Sequence, residues 1–446
     1  MAQYLLLQNS AECKFLSVNV IFLVAKGTIK NTQVTDLLYI ILTMKNSQAS
    51  MTFILITILL DAIGVGLVIP ILPEVIARFG KDPAFVSNYY GYFISVYSLM
   101  LFIASPLLGS LADRYGRRPI LLIALCGSGL DYLLMAFAPT LTILFIGRII
   151  SGLTGASITA ASSYIADVST DENRTTNFGL FGAAFGIGFV VGPALGGVLG
   201  SYGHNLPFIL AAVLSLSNFI FGLIILPESL PPEKRKTKIS LSALNPVKSI
   251  GKVVFNSPVA ILIWVYFFIH LAGQSHPSVW ALFTHYKFQW TSLEIGLSLT
   301  AVGLAFGIGQ GYTTRLVIPR LGEMKSVICG TIVLIFNYLF FALASNSVLI
   351  YMTISLLLFT SIVMPSLQSM ITKSTPPEHQ GELQGTLVSI MSLTSIIGPL
   401  IYTGLFTYFT AKGHFNFPEA PYYLAAFIAA ICLFLVLKEH KARKMM

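Results

Sequence analysis

Residues 109–119 read Gly-Ser-Leu-Ala-Asp-Arg-Tyr-Gly-Arg-Arg-Pro, and the run Asp113-Arg114-Tyr115-Gly116-Arg117-Arg118 at its centre carries four formal charges in six residues. Only 10% of the 446 residues are charged, while 55% are hydrophobic. A soluble domain is nearer a quarter charged. Long apolar stretches flank the charged knot on both sides, so the knot is a tight loop at a membrane face. Gly109 and Gly116 supply the turn.

Outward from this loop, about twelve apolar runs of spanning length follow one another, near 52–77, 88–111, 119–138, 140–166, 176–200, 205–227, 254–275, 292–314, 325–345, 347–371, 383–410 and 420–438. A bilayer core needs roughly 20 apolar residues per helix. No water reaches the backbone there, so each run must satisfy its own polar groups as a helix. The chain is expected to be an all-α membrane protein of twelve transmembrane helices.

The net charge of +9 does not point to nucleic acid, because its distribution is topological. With the Asp113 loop placed inside and the loops alternating, the inside holds eighteen lysines and arginines. The outside holds only Arg78, Lys81, Lys287 and Lys412. That bias puts both ends of the core in the cytoplasm of a cell membrane. The four cysteines, Cys13, Cys126, Cys329 and Cys432, show neither metal spacing nor a disulfide pattern. They are read as packing residues, and no metal site and no cofactor are expected.

Four segments are expected. Residues 1–50 do not fit the rest and read as an extension, disordered or not native, with an interfacial anchor as the alternative. Residues 51–227 form a first six-helix bundle. Residues 228–250, with PESLPPEKRKTK in their middle, form a cytoplasmic linker, since proline and charge together forbid a membrane helix. Residues 251–446 form a second bundle. The halves repeat at an offset of 206 residues: Arg114-Tyr115-Gly116 matches Arg320-Leu321-Gly322, Gly179 matches Gly385, Gly192-Pro193 matches Gly398-Pro399, and Asp131 falls opposite Asn337. Two pseudo-symmetric parallel bundles are one way transporter folds are built.

Charges inside the spans carry the chemistry. Asp61 lies about ten residues into the first run, and an aspartate at mid-membrane costs about 2.5–3.5 kcal/mol on insertion scales. It must face a cavity or a partner, which suits a carboxylate that takes up and releases protons; the alternative is a structural hydrogen bond to a neighbouring helix. Asp131 and Arg148, in the third and fourth runs, are expected to pair, because an unpaired buried charge is very costly. The pair is either static or rearranged by protonation. Gly64, Gly66, Pro70 and Pro73 soften the first helix.

Gly109, Asp113, Arg114, Gly116, Arg117 and Arg118 read as a gating loop, in which Asp113 holds a helix end of the other half. A plain positive-inside loop explains the arginines but not Asp113 or Gly116. Gly188, Gly192, Pro193, Gly196 and Gly197, together with Gly186, let the fifth helix approach its neighbours closely. Gln274, His276 and Trp280 end the seventh run, where Pro277 breaks the helix. With Gln310 and Tyr312 in the eighth run, and Asn337 in the ninth, they are expected to line the substrate cavity.

Together these motifs resemble the drug/proton antiporters of the major facilitator superfamily, most of all the tetracycline/proton antiporters. The residues that carry the likeness are LLDAIGVGLVIPILP, LADRYGRRP, GLDYLLMAFAPT, LFIGRIISGLTGA, GAAFGIGFVVGPALGG, GQSHPSVWALFT and LQGTLVSIMSLTSIIGPL. The resemblance implies the major facilitator fold of two six-helix bundles. It implies roles in transport for Asp61, Asp113, Arg117, Asp131 and Arg148, and a substrate that arrives as a divalent-metal chelate of a tetracycline. The family's helix 8 histidine and helix 9 acid correspond to Phe306 and Leu334 here, which leaves proton coupling to Asp61, Asp113 and Asp131.

The expected function is export of a small amphiphilic drug in exchange for protons by a protein working as a monomer, through a cavity lined by helices 1, 2, 4, 5, 7, 8, 10 and 11. Its partners are the drug, protons and lipid, with no nucleic acid. Alternatives are transport of a sugar or metabolite, import in place of export, or a non-transporting receptor on a transporter fold. No nucleotide-binding loop or nucleophile–base set suggests an enzyme.

Overall fold

The computed structural model describes residues 31–155, 157–170, 172–235, 259–376 and 380–445. Most of the linker and residues 1–30 of the N-terminal extension lie outside the described residues. Helices, short turns and loops make up everything described.

In the first six spans the helices are α1 (Asn31–Val68), α2 (Leu72–Ala77), α3 (Pro83–Tyr115), α4 (Arg117–Phe137), α5 (Leu141–Thr154), α6 (Ser157–Val168), α7 (Arg174–Tyr202) and α8 (Leu206–Ile225). In the second six they are α9 (Ala260–Gly273), α10 (Ser275–Phe288), α11 (Ser292–Ile308), a π turn at Gly309–Thr313, α12 (Thr314–Leu321), α13 (Glu323–Leu343), α14 (Ser347–Ser355), α15 (Leu357–Thr360), α16 (Val363–Lys373), α17 (Gln380–Thr410) and α18 (Ala420–Met445). Among the described residues, 11 helices or helix series are long and apolar enough to cross a membrane. The seventh span, in two 14-residue pieces, completes twelve.

Several spans are broken where the sequence allows it. α1 stops at Val68, and Pro70, which has no N–H to give, leads into α2. The fourth span parts at Gly155, between α5 and α6. The seventh span departs from expectation. Pro277 does not end it: the helix only pauses at Gln274, and Pro277 sits in the first turn of α10, where no N–H is needed. The span therefore runs on to Phe288 instead of ending near 275.

The repeat is visible in the backbone. Gly116 alone joins α3 to α4 with φ 108°, and Gly322 joins α12 to α13 with φ 77°. Both are left-handed conformations that favour glycine. Pro193 and Pro399 each lie inside a long helix, α7 and α17.

α7 is the seam between the halves. A methyl group at Gly192 would lie 2.7 Å from Ile63 O and 2.9 Å from Gly66 Cα, and one at Gly188 would lie 2.6 Å from Leu59 O. Gly196 meets Leu67 in the same way. On the opposite side a methyl group at Gly197 would lie 2.7 Å from Ser292 O of α11. Glycine spaced by four therefore packs backbone on backbone against α1, while Gly197 does so against the other half.

Several hydrogen bonds between the halves lie toward the face opposite the Asp113 loop, here the far face. Ser87 Oγ donates to Thr403 O at 3.1 Å, Ser95 Oγ to Ile396 O at 2.8 Å, and Thr300 Oγ1 to Val190 O at 3.0 Å. Tyr90 Oη donates to Pro277 O at 3.3 Å, and Ser292 Oγ donates to the Glu74 carboxylate. Gly109, Gly179, Gly182, Gly186, Gly307, Gly311 and Gly385 have nothing within 4 Å of where a side chain would begin.

Candidate functional site

A cavity of about 1080 Å³ lies between the halves. Its first-half wall holds Asp61 and Val65 of α1, Tyr90, Phe93, Tyr97 and Phe102 of α3, Ser128 and Tyr132 of α4, and Arg148 and Ser151 of α5. Ser157 of α6 and Phe185 of α7 complete that wall. The second half contributes Gln274 and Pro277 of the seventh span, and Gln384, Ser389, Ser392 and Ser395 of α17. Aromatic faces with a few fixed polar groups suit a flat amphiphilic ligand.

The charges of this cavity all come from the first half. Asp61 is half-buried on the wall, and its Oδ2 is buried without a hydrogen-bond partner. The Ser157 hydroxyl, just past the break in the fourth span, is its side-chain neighbour. Arg148 also faces the cavity, stacks its guanidinium 5.6 Å from the Tyr97 ring centre, and forms a close ion pair with Asp131. Its second contact is Met135 Sδ at 2.8 Å. Asp131 is fully buried behind the wall, so the expected pair exists and only its cation looks into the cavity. The second-half wall is neutral, and there Gln274 Nε2 donates to Ser395 Oγ at 3.1 Å.

The charged loop is organised within the first half. Arg117 binds Asp113 at 2.5 Å and Asp167 at 3.1 Å. Glu228 accepts the backbone N–H of Arg117 at 2.7 Å and of Arg118 at 3.3 Å, and so caps α4, whose N-terminus attracts negative charge. The Arg118 guanidinium donates to Leu223 O at 2.7 Å, and Arg114 lies over the Tyr115 ring. The expected tie from Asp113 to the other half is not among these contacts.

Five of the six residues expected to line the cavity in the second half, Tyr312 among them, lie elsewhere. His276 is half-buried, its Nε2 shielded, with its ring 4.1 Å from Trp280 and 5.3 Å from Phe341, measured between centres. Trp280 is buried and donates its indole N–H to Ser298 Oγ at 2.9 Å. Asn337 is fully buried and donates to Thr353 O at 2.8 Å. Gln310 is exposed on the π turn and does not reach the cavity. Only Gln274 stands where expected. Helices 8 and 10 likewise give the cavity no residue, and helix 3, not expected there, gives two. The reason is packing: α11 lies against α7, and the broken tenth span packs on α13. Phe306 and Leu334 are also absent from the cavity wall.

Sequence reasoning missed Tyr97, Tyr132 and the α17 stripe Gln384-Ser389-Ser392-Ser395. The stripe left a signal, small polar residues recurring on one face of an apolar helix. The tyrosines left none.

The sequence pattern described as Major Facilitator Superfamily matches residues 54–359 and, again, 263–444. The chain belongs to this superfamily. The tetracycline resistance protein, class C, of Escherichia coli is 39% identical over 363 residues, covering 81% of this chain and 91% of that protein. The class H protein of Pasteurella multocida is 37% identical over 365 residues, covering 81% and 90%. The crystal structure of the nucleoside transporter NupG has the same fold, with a TM-score of 0.70 at 14% identity, covering 88% of this chain and 99% of that one. As a member of the major facilitator superfamily, the protein is a multi-pass, proton-coupled secondary transporter of a small molecule, and not an enzyme.

Proposed function

We propose that the protein exports a small amphiphilic drug of the tetracycline type in exchange for protons, as a monomer, with the motif face in the cytoplasm. The observation that carries this reading is Asp61, an acid on the wall of a cavity with several inter-half hydrogen bonds toward the opposite face. The likeness to tetracycline resistance proteins supports the substrate class. The aromatic wall and the neutral amides of Gln274 and Gln384 suit a flat ligand with many hydroxyl and carbonyl groups, arriving as a metal chelate. The excess of lysine and arginine around the Asp113 loop supports the orientation, and the described conformation is then inward-open.

Drug enters beside an ionised Asp61. The halves rock, the motif face closes and the far face opens. A proton from outside neutralises Asp61, weakens its hold on the drug and allows the empty carrier to return. Asp131 and Arg148 keep the wall beside Asp61 positively poised, with Tyr97 stacked on the cation. Asp113 and Arg117 hold the motif face in its alternate contacts. One proton moving in yields about 2.3 kcal/mol per 100 mV of potential, and a one-unit pH difference adds about 1.4 kcal/mol. The sum supports a gradient of several hundredfold for a neutral solute; a singly charged cationic chelate exchanged for one proton moves no net charge, so the pH difference alone drives it, by about tenfold per unit.

The test is a substrate panel on everted membrane vesicles with an imposed pH step. Tetracycline with magnesium should accumulate in acidified vesicles that contain the protein. Movement of a sugar but no tetracycline-type compound would refute the substrate class, and no proton-linked flux of any panel member would refute the antiport reading.

A further inference from the structure

The eighth span ends differently from the second. At the 206-residue offset, α12 stands where residues 108–115 stand in the first half. In the first copy Leu108 and Ala112 are buried, and Asp113 answers Arg117. In the second copy α12 has no buried residue. Arg315 replaces Gly109, Pro319 replaces Asp113, and Arg320 keeps the place of Arg114.

The acid nearest in sequence is already engaged. Glu323 Oε1 takes Lys373 at 2.5 Å and Ser369 at 2.6 Å. Arg315, Arg320 and Lys325 are exposed, and none has an ion-pair or hydrogen-bond partner among the described residues. Exposed apolar side chains sit among them: Leu316 is 37% and Leu321 42% exposed. Three cations without a partner among the described residues therefore flank the same turn as the exposed Leu316 and Leu321, at the membrane boundary. Long basic side chains there place their stems along lipid and their heads at phosphate depth.

We propose that the turn between the eighth and ninth spans binds an anionic phospholipid of the leaflet on the motif face, with the headgroup phosphate on Arg315, Arg320 and Lys325 and the acyl chains along Leu316 and Leu321. The guanidinium fork matches phosphate geometry. The apolar flank favours lipid over a soluble acid, because α12 continues a lipid-crossing helix. The first-half turn is answered from within: Asp113 and Asp167 take the Arg117 guanidinium, the Arg118 guanidinium donates to Leu223 O, and Glu228 accepts the backbone N–H groups of both arginines.

The test is native mass spectrometry of the purified full chain in a neutral detergent, with equal amounts of phosphatidylglycerol and phosphatidylcholine bearing the same acyl chains. The native chain should retain phosphatidylglycerol over phosphatidylcholine by at least about fivefold. The triple variant R315Q/R320Q/K325Q should lose that preference, while R315K/R320K keeps most of it. Lys412→Gln, on the far face, should leave it unchanged. Size-exclusion elution matching the native chain shows that each variant is folded. No headgroup preference in the native chain, a preference that survives in the triple variant, or displacement of the lipid by polyglutamate at equal charge would overturn the proposal.

Discussion

Asn337 donates its amide to Thr353 O at 2.8 Å, joining the ninth span to the tenth where, one repeat earlier, Asp131 joins the third to the fourth through Arg148. Both Asp131 and Asn337 are fully buried. The same junction is ionic in the first half and neutral in the second. The cavity follows the same division, with Asp61 and Arg148 on one wall and only amides and hydroxyls facing them. On the cavity wall, charge is concentrated in one bundle.

Removing one member of the ionic junction should cost far more than weakening the neutral one. Arg148→Ala leaves Asp131 buried without its cation and should lower stability by about 3–5 kcal/mol. Asn337→Ala should cost about 1 kcal/mol and leave proton-linked flux intact. Thermal unfolding in detergent, with flux on the same preparations, checks both. Equal losses would show that the two junctions are equivalent.

The glycines of α7 should divide by position. Gly192→Val drives a side chain into Ile63 O and Gly66 and should destabilise by about 1–3 kcal/mol through overpacking. Gly182→Ala meets nothing within 4 Å in this conformation and, as alanine is the better helix former, should not lower the melting temperature. A destabilised Gly182→Ala would place a neighbour against that face of α7.

Glu74 is the acid in the far-face contacts between halves. It accepts from Ser292, and its Oε2 lies 2.6 Å from His204 Nδ1. The other ties described there are hydroxyls on backbone carbonyls. Glu74→Ala should loosen that face, so a cysteine introduced at Ser392 should label several times faster from the far side. Unchanged labelling would mean that the hydroxyl ties suffice.

Gln274 binds Ser395 and faces the cavity. Gln274→Ala should raise KM for the transported compound by roughly tenfold, the loss of one or two hydrogen bonds, with kcat and proton stoichiometry unchanged. A fall in kcat at constant KM would assign it to the conformational step instead.

Much of this was legible in the chain. Spans could be read because lipid demands long apolar helices, the charged loop because it interrupts them, and Asp61 and Arg148 because charge in lipid needs a reason. The second-half wall was not legible. His276, Trp280 and Asn337 lie on helices apolar around most of their circumference, so the face turned to the cavity leaves little mark in the sequence. A buried polar residue there reads the same whether it meets ligand, as Gln274 can, or a backbone carbonyl, as Asn337 does. Pro277 misled for a related reason: proline breaks a helix from within but is well placed in the first turn, and only the pause at Gln274 decides between the two.

The most direct measurement is pH-driven uptake of tetracycline with magnesium into everted vesicles carrying the native chain or Asp61→Asn, at matched amounts of folded protein. With the lumen acidified, the native chain should accumulate the drug and the variant should not rise above protein-free vesicles. Full pH-driven accumulation by Asp61→Asn would contradict the assignment of the exchanged proton to this carboxylate.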